Sequence, residues 1–122
     1  MIIKESAENY LEAIYKLSKK NGDVRSVDIA DELGITKPSV SVAMKNFREN
    51  GYIKVSSEGF IILTDKGLQI AENTYLRHRL IKNLLIKLGV SEQTAERDAC
   101  RIEHDISRET YEKLEELYAK LK

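Results

Sequence analysis

The sharpest chemical pattern in the chain is Cys100-Arg101-Ile102-Glu103-His104. On a helix, positions i, i+3 and i+4 share a face, so a thiolate, a carboxylate and an imidazole would converge. Three donors of mixed softness suit a first-row transition metal. Ala95, Ala99 and Ile102 fall on a different face, which predicts that the ligand face and the packing face of this helix are separate. Two further sources of donors stand apart in sequence. His78 is the other of the two histidines, and Asn9 with Glu12 forms an i, i+3 pair on the side of the first helix away from Tyr10, Ile14 and Leu17. Singly, each has an ordinary explanation: a lone Cys is most often a small buried hydrophobe, Glu12 a solvated helix residue, and His78, between Arg77 and Arg79, a basic surface residue. A metal-dependent hydrolase with Glu103 as base is a competing use of the same residues. No Gly-rich phosphate loop, nucleophile elbow or His-Glu-x-x-His motif accompanies it, so the chain is not read as an enzyme.

The elements that must carry these residues follow from periodicity. Ser6 to Lys20 reads as a helix ended by Asn21-Gly22. Ser26 is placed to cap a short helix, Val27 to Leu33, closed by Gly34. Thr36 is placed to cap a third, with Pro38 tolerated in its first turn and Val40, Ala43, Met44 and Phe47 on the inner face. Tyr52 to Val55 and Phe60 to Leu63 read as short strands joined by Ser56 to Gly59. A long helix capped by Thr64 runs to Leu88, a fifth capped by Ser91 runs through His104, and a sixth starts at Ser107. The expected fold class is mainly α. A winged helix-turn-helix DNA-binding domain (1–70) precedes a helical metal-binding and dimerisation domain (71–122), with the boundary inside the long fourth helix.

The helix-turn-helix reading rests on Ile29 to Val40. Ala30 is small enough for a close helix crossing, Gly34 permits the positive φ of the turn, and Leu33, Ile35, Val40 and Ala43 supply shared apolar contacts. An ordinary helical hairpin with a Gly turn is the alternative, and the hairpin that follows favours the winged form. With duplex DNA as partner, the third helix would enter the major groove. Thr36, Lys37, Ser39, Ser41 and Val42 would then meet bases, Val42 through a thymine methyl, Pro38 would lie at the same DNA-binding surface, and Lys45 and Arg48 would meet phosphates. Arg25, Ser56 and Ser57 are further phosphate candidates.

Bulk composition is compatible with this and excludes other classes. The 122 residues are 42% hydrophobic and 33% charged, and 20 basic residues balance 20 acidic ones. A zero net charge argues against a generic polyanion binder, yet from Lys16 to Lys54 eight basic residues face five acidic ones. One Cys allows no internal disulfide, and neither a secretory segment nor an apolar run of membrane-spanning length occurs. The expected location is the cytoplasm, with no membrane partner and no small-molecule substrate. Leu80, Leu84, Leu85, Ile86 and Leu88 are more apolar residues than one small subunit readily buries, which predicts a homodimer built from helices four to six.

The chain resembles the diphtheria-toxin-repressor family of iron- and manganese-dependent repressors nearly end to end. The resemblance is carried by Ser6 to Tyr15, Val27-Asp28-Ile29-Ala30, Pro38-Ser39-Val40-Ser41, Leu63 to Gly67, Arg77-His78-Arg79-Leu80 and Cys100 to His104. It implies a homodimer that binds operator DNA when loaded with Fe(II) or Mn(II) and represses metal-uptake genes; Zn or Co would substitute in vitro. It also implies a hybrid ligand set. His78, Glu103 and His104 match ligands shared across the family, Cys100 matches the iron-responsive branch, and Glu12 matches the manganese branch. Asn9 stands where the iron branch has Met and the manganese branch has Asp, a weaker neutral donor. Lys82 stands where the iron branch has a Glu of an ancillary site, which argues against a site of that kind. The SH3-like domain of longer members is expected to be absent. A winged-helix regulator without metal control is the alternative.

Overall fold

The computed structural model describes residues 5–121. In chain order the elements are α1 (Glu5–Asn21), α2 (Ser26–Leu33), α3 (Lys37–Glu49), β1 (Ile53–Val55), β2 (Ile61–Leu63), α4 (Asp65–Leu88), α5 (Glu92–Asp105) and α6 (Arg108–Leu121). Two compact units result, Met1–Asn73 and Thr74–Lys122, and the division falls within α4.

In the first unit, α1, α2 and α3 close around Leu11, Ile14, Ile29, Val40 and Phe47, all nearly solvent-free. Gly34 ends α2 at φ 66, in the left-handed region that favours glycine, and its position lets the chain turn directly into α3. Thr36 caps α3 by accepting the Ser39 N–H at 3.3 Å, as its position before Lys37-Pro38 predicts. The cap of α2 differs from expectation. Ser26 is already helical, and Arg25 occupies the capping position, where its own N–H donates to the Asp28 carboxylate at 2.9 Å. An arginine side chain accepts no hydrogen bond, so Asp28 at the third helical position ties down this end instead.

β1 and β2 pair antiparallel with Ile53 opposite Leu63 and Val55 opposite Ile61. Tyr52 and Phe60, expected in the strands, lie just before them. The hairpin is anchored to the helices by Ile61 N–H donating to Val24 O at 2.7 Å. Thr64 caps α4, accepting the Gly67 N–H at 3.2 Å while its hydroxyl donates to Gly51 O at 2.6 Å. Gly67 has no alternative there, because a Cβ would collide with the Tyr52 carbonyl oxygen.

The second unit is a helical assembly of the C-terminal part of α4 with α5 and α6. Leu80, Ile81, Ala95 and Ala99 form its buried apolar centre. Leu80 is therefore satisfied within one chain, unlike Ile86 and Leu88, which are 41% and 79% exposed. Ser91 and Ser107 cap α5 and α6, accepting the N–H groups of Thr94 at 3.4 Å and Thr110 at 3.1 Å. No residue of α6 is fully buried, and Leu117 and Leu121 are about half exposed. Leu84, Lys87, Leu88, Leu114, Leu117 and Leu121 line an apolar groove between α4 and α6.

Candidate metal centre and nucleic-acid interface

α5 carries the Cys100-x-x-Glu103-His104 pattern, but its faces do not divide as the spacing predicts. Ala95, Ala99 and Glu103 form the buried stripe, with Glu103 1% exposed, whereas Ile102 is only half-buried. Positions i, i+4 and i+8 drift little around a helix, so Glu103 continues the alanine stripe into the core. Small alanines let α5 lie close to its neighbours, and a carboxylate ends the apolar row.

His78 on α4 is the hub of the cluster. Its Nδ1 lies 2.7 Å from Glu103 Oε2 and 3.8 Å from Cys100 Sγ, and its Nε2 lies 2.9 Å from Glu96 Oε1. His104 Nε2 lies 3.3 Å from Glu103 Oε1, with a side chain only 2% exposed. The donor atoms of His78, Glu96 and Cys100 all fall within 4.8 Å of one another. Of the five sequence candidates outside Asn9, His78, Cys100, Glu103 and His104 are thus brought together within the second unit. Glu12 and Asn9 belong to the first unit. Glu12 is buried beside Leu11, Ala13, Ile14 and Tyr15, so it is not the ordinary solvated helix residue.

The electrostatics match a site built for a cation. The hydrogen bond from His78 to Glu103 raises the imidazole pKa above its usual value; burial opposes this, and Glu96 reinforces it. Burial also opposes ionisation of Glu96, but its bonds to Lys82 and His78 outweigh that and lower its pKa. Glu103 Oε1 is buried and accepts no hydrogen bond. A buried carboxylate oxygen that accepts no hydrogen bond is costly unless another group satisfies it, and His104 Nε2 stands 3.3 Å away without bonding it. The Cys100 thiol, the His78 ring nitrogens and the carboxylates of Glu96 and Glu103 that meet that ring form a donor set that fits a divalent first-row ion.

Sequence reasoning missed Glu96. Its signal was available: Glu96 lies one helical turn before Cys100, and Glu92 one turn earlier, while Lys82 lies one turn after His78. Arg77 was also missed. Its guanidinium donates to the carbonyls of Glu103 at 3.3 Å and Ile106 at 3.0 Å and stacks over the Tyr111 ring, which fixes the end of α5 that bears Glu103 and His104.

In the first unit, Thr36, Lys37, Pro38, Ser39, Ser41, Val42, Lys45 and Arg48 are all exposed on α3 or its cap, Val42 by 63%. Ser41, Lys45 and Arg48 line a shallow groove with Ser26, Met44 and Val55, which sets α3 cations beside the hairpin. Three other candidates have structural duties. Arg25 donates to Glu58 O at 2.9 Å and lies over the Phe60 ring, tying the hairpin turn to α2. Ser56 Oγ accepts the Phe60 N–H at 3.0 Å, holding the turn closed. The Glu58 carboxyl is held below its usual pKa by its own backbone N–H and by the hydroxyls of Ser56 and Ser57. The turn thus presents a carboxylate beside both serines.

No helix among the described residues is long and apolar enough to cross a membrane. Comparison with known proteins agrees with both halves. A family model described as iron dependent repressor, N-terminal DNA binding domain, matches residues 3–59. A second, iron dependent repressor, metal binding and dimerisation domain, matches residues 64–122. The transcriptional regulator MntR of Salmonella typhimurium is 36% identical over 107 residues, covering 88% of this chain and 68% of that protein. An uncharacterized HTH-type transcriptional regulator of Methanocaldococcus jannaschii is 34% identical over 122 residues, covering 98% of each. The solved structure of the manganese regulator SloR matches with a TM-score of 0.82 at 27% identity, over 98% of this chain and 55% of that one. The chain therefore spans about half the length of that structure. Two adjoining family models and relatives matched over most of their length place the chain in the diphtheria-toxin-repressor family of iron- and manganese-dependent transcriptional regulators.

Proposed function

We propose that this chain is a repressor that binds operator DNA as a homodimer when loaded with Fe(II) or Mn(II), and so controls metal-ion homeostasis in the cytoplasm. The observation that carries the reading is the cluster around His78. A buried carboxylate, Glu103, interrupts an otherwise apolar stripe and meets His78 at 2.7 Å, with the Cys100 sulfur 3.8 Å from the same nitrogen. A carboxylate and a thiol converging on one imidazole is an arrangement that a divalent ion would use. His78, Cys100, Glu103 and His104 would hold it; the family resemblance adds Glu12, with Asn9 as a neutral donor. The thiolate favours iron, and Glu12 favours manganese. Zinc and cobalt are expected to bind in vitro for their position in the affinity series.

A bound ion would supply positive charge and fixed coordination where Glu103, Glu96 and Cys100 converge on His78. The chain's own residues do the rest. Glu103 and His104 fix one end of α5, His78 fixes α4, and Arg77 locks α5 to α4. The half-exposed leucines of α4 and α6 form the surface for a second copy. The exposed residues of α3 read base edges, while Lys45 and Arg48 grip phosphates.

The test is anaerobic titration of the chain onto DNA selected from a random-sequence library, with Fe(II), Mn(II), Zn(II) or chelator present. Metal should tighten binding roughly 5–150-fold, the usual range of allosteric coupling, with two chains bound per selected site. In Glu12→Ala, metal should still bind the second unit but lose its effect on DNA. Equal DNA affinity with metal and with chelator would establish a winged-helix regulator without metal control.

A further inference from the structure

Two i, i+4 pairs meet beside the metal centre. His78 and Lys82 face out from α4, and Glu92 and Glu96 face them from α5. Glu96 uses both oxygens: Oε1 lies 2.9 Å from His78 Nε2, and Oε2 lies 3.0 Å from Lys82 Nζ. Lys82 also reaches Glu92 at 3.7 Å. The two ring nitrogens of His78 therefore have separate surroundings. Nδ1 faces Glu103 and Cys100, and Nε2 faces Glu96.

An imidazole that binds an ion through one nitrogen keeps its proton on the other. The group accepting that proton fixes the tautomer and the ring orientation, and makes the metal-binding nitrogen more basic. Resting on the reading of His78, Cys100 and Glu103 as ligands, we propose that Glu96 is a positioning residue for the metal, not a ligand. It accepts the Nε2–H of His78, commits Nδ1 to the ion, and is itself held in place by Lys82.

Glu96 also has a geometry open to direct ligation, since its oxygen, the Cys100 sulfur and a His78 nitrogen are mutually close. Direct ligation would draw the ion to Nε2, away from Glu103. It would also set the ion next to the Lys82 ammonium, a like charge that strongly disfavours a cation there. Placing the ion at Nδ1, beside Glu103 Oε2 and Cys100 Sγ, avoids both costs.

The experiment uses the full chain loaded with isotope-enriched cadmium, with nitrogen-labelled histidine, followed by NMR. It is paired with competitive cobalt titrations of wild type and of Glu96→Ala, Glu96→Gln, Lys82→Met and the double variant Glu96→Ala/Lys82→Met. Folding is checked by circular dichroism. Wild type should show cadmium coupling to Nδ1 of His78 and a proton on Nε2. Glu96→Ala should weaken cobalt binding about 10–100-fold while leaving the thiolate-to-cobalt band and the stoichiometry unchanged. Glu96→Gln, whose amide oxygen still accepts the N–H, should recover part of that loss. Lys82→Met should change affinity by at least about twofold when Glu96 is present and not when it is Ala. Coupling to Nε2, a shifted cobalt ligand-field spectrum in Glu96→Ala, or unchanged affinity in that variant would each overturn the proposal while leaving the metal reading intact. An equal effect of Lys82→Met in both backgrounds would overturn the role given to Lys82. Failure of wild type to bind cadmium or cobalt would overturn the metal reading and this proposal with it.

Discussion

α3 and α5 have nearly the same length, 13 and 14 residues, and use their buried stripes in opposite ways. α3 buries Val40, Met44 and Phe47 and leaves its polar and charged residues exposed. α5 buries Ala95, Ala99 and Glu103, so its chemistry lies in the stripe itself. In the first helix, packing and recognition occupy different faces and can be altered separately. In the second they share one, and the buried Glu103 belongs both to the stripe and to the proposed metal centre. The difference suits the proposed partners. DNA is large and is met at the surface, while a small ion gains most from groups already held out of water.

The largest effect that would test this contrast is on stability. Phe47 is 2% exposed and lies edge-on to Tyr10 and Tyr52 at 5.9 and 6.2 Å between ring centres. Phe47→Ala should cost about 3–5 kcal/mol in denaturant melts. Glu103→Gln, at equal burial, keeps the volume and a hydrogen bond to His78, so it should change metal-free stability by less than about 1 kcal/mol. Its effect should emerge only with metal. Wild type should gain about 2.7 kcal/mol at a free metal concentration 100 times the Kd, and chelator should remove the gain. Glu103→Gln should gain much less. A metal-free Glu103→Gln as damaged as Phe47→Ala would mean that Glu103 is a packing residue like its counterpart.

The same contrast explains which parts of the molecule were legible in the sequence. The α3 end of the molecule was readable because each signal is local: Thr36 before Lys37-Pro38, Gly34 at the turn, and an apolar period with polar residues between. The caps Thr64, Ser91 and Ser107 were readable for the same reason. Arg25 was not, since its contacts with Glu58 and Phe60 span more than thirty residues and no local period announces them. In α5 the triplet Cys100, Glu103, His104 stood out, but the face assignment failed. A charged residue ordinarily avoids the core, whereas Glu103 is admitted there by the pairing with His78. Glu96 and Lys82 read as ordinary solvated helix residues, and only the packing of α4 on α5 shows that Glu96 closes on His78 and Lys82 on Glu96.

A smaller effect separates the roles on α3. Lys45 and Arg48 line the groove beside β1, and Val42 stands out further toward the N-terminal turn. Lys45→Ala should weaken binding to selected and unselected DNA alike and reduce the slope of log affinity against log salt by about 1. Val42→Ala should leave the slope unchanged and lower affinity for the selected sequence only. Both follow from fluorescence anisotropy at a series of salt concentrations. A Val42→Ala slope that falls as far as that of Lys45→Ala would show that the two positions face DNA in the same way.

The smallest effect concerns the caps, where the two helices are built alike. Thr36 Oγ accepts the Ser39 N–H at 3.3 Å and its hydroxyl donates to Ser39 Oγ at 2.9 Å. Ser91 Oγ accepts the Thr94 N–H at 3.4 Å and donates to Thr94 Oγ1 at 3.1 Å. Removing either side-chain acceptor leaves an N–H of the first turn to water, so Thr36→Ala and Ser91→Ala should each cost about 1 kcal/mol. Local stability is thus expected to match, and function is not. The Thr36 hydroxyl orients Ser39 at the surface proposed to meet DNA, so Thr36→Ala frees a contact residue as well as a helix end. Ser91 holds the start of α5, three turns from Glu103, so fraying there would stop short of the end that bears Glu103 and His104. Thr36→Ala should therefore reduce DNA affinity beyond what its melt accounts for, whereas Ser91→Ala should leave metal and DNA affinity unchanged. If Ser91→Ala weakens metal binding by as much as Thr36→Ala weakens DNA binding, the rigidity of α5 depends on its first turn. The buried pairing of Glu103 with His78 would then not be enough to hold the centre.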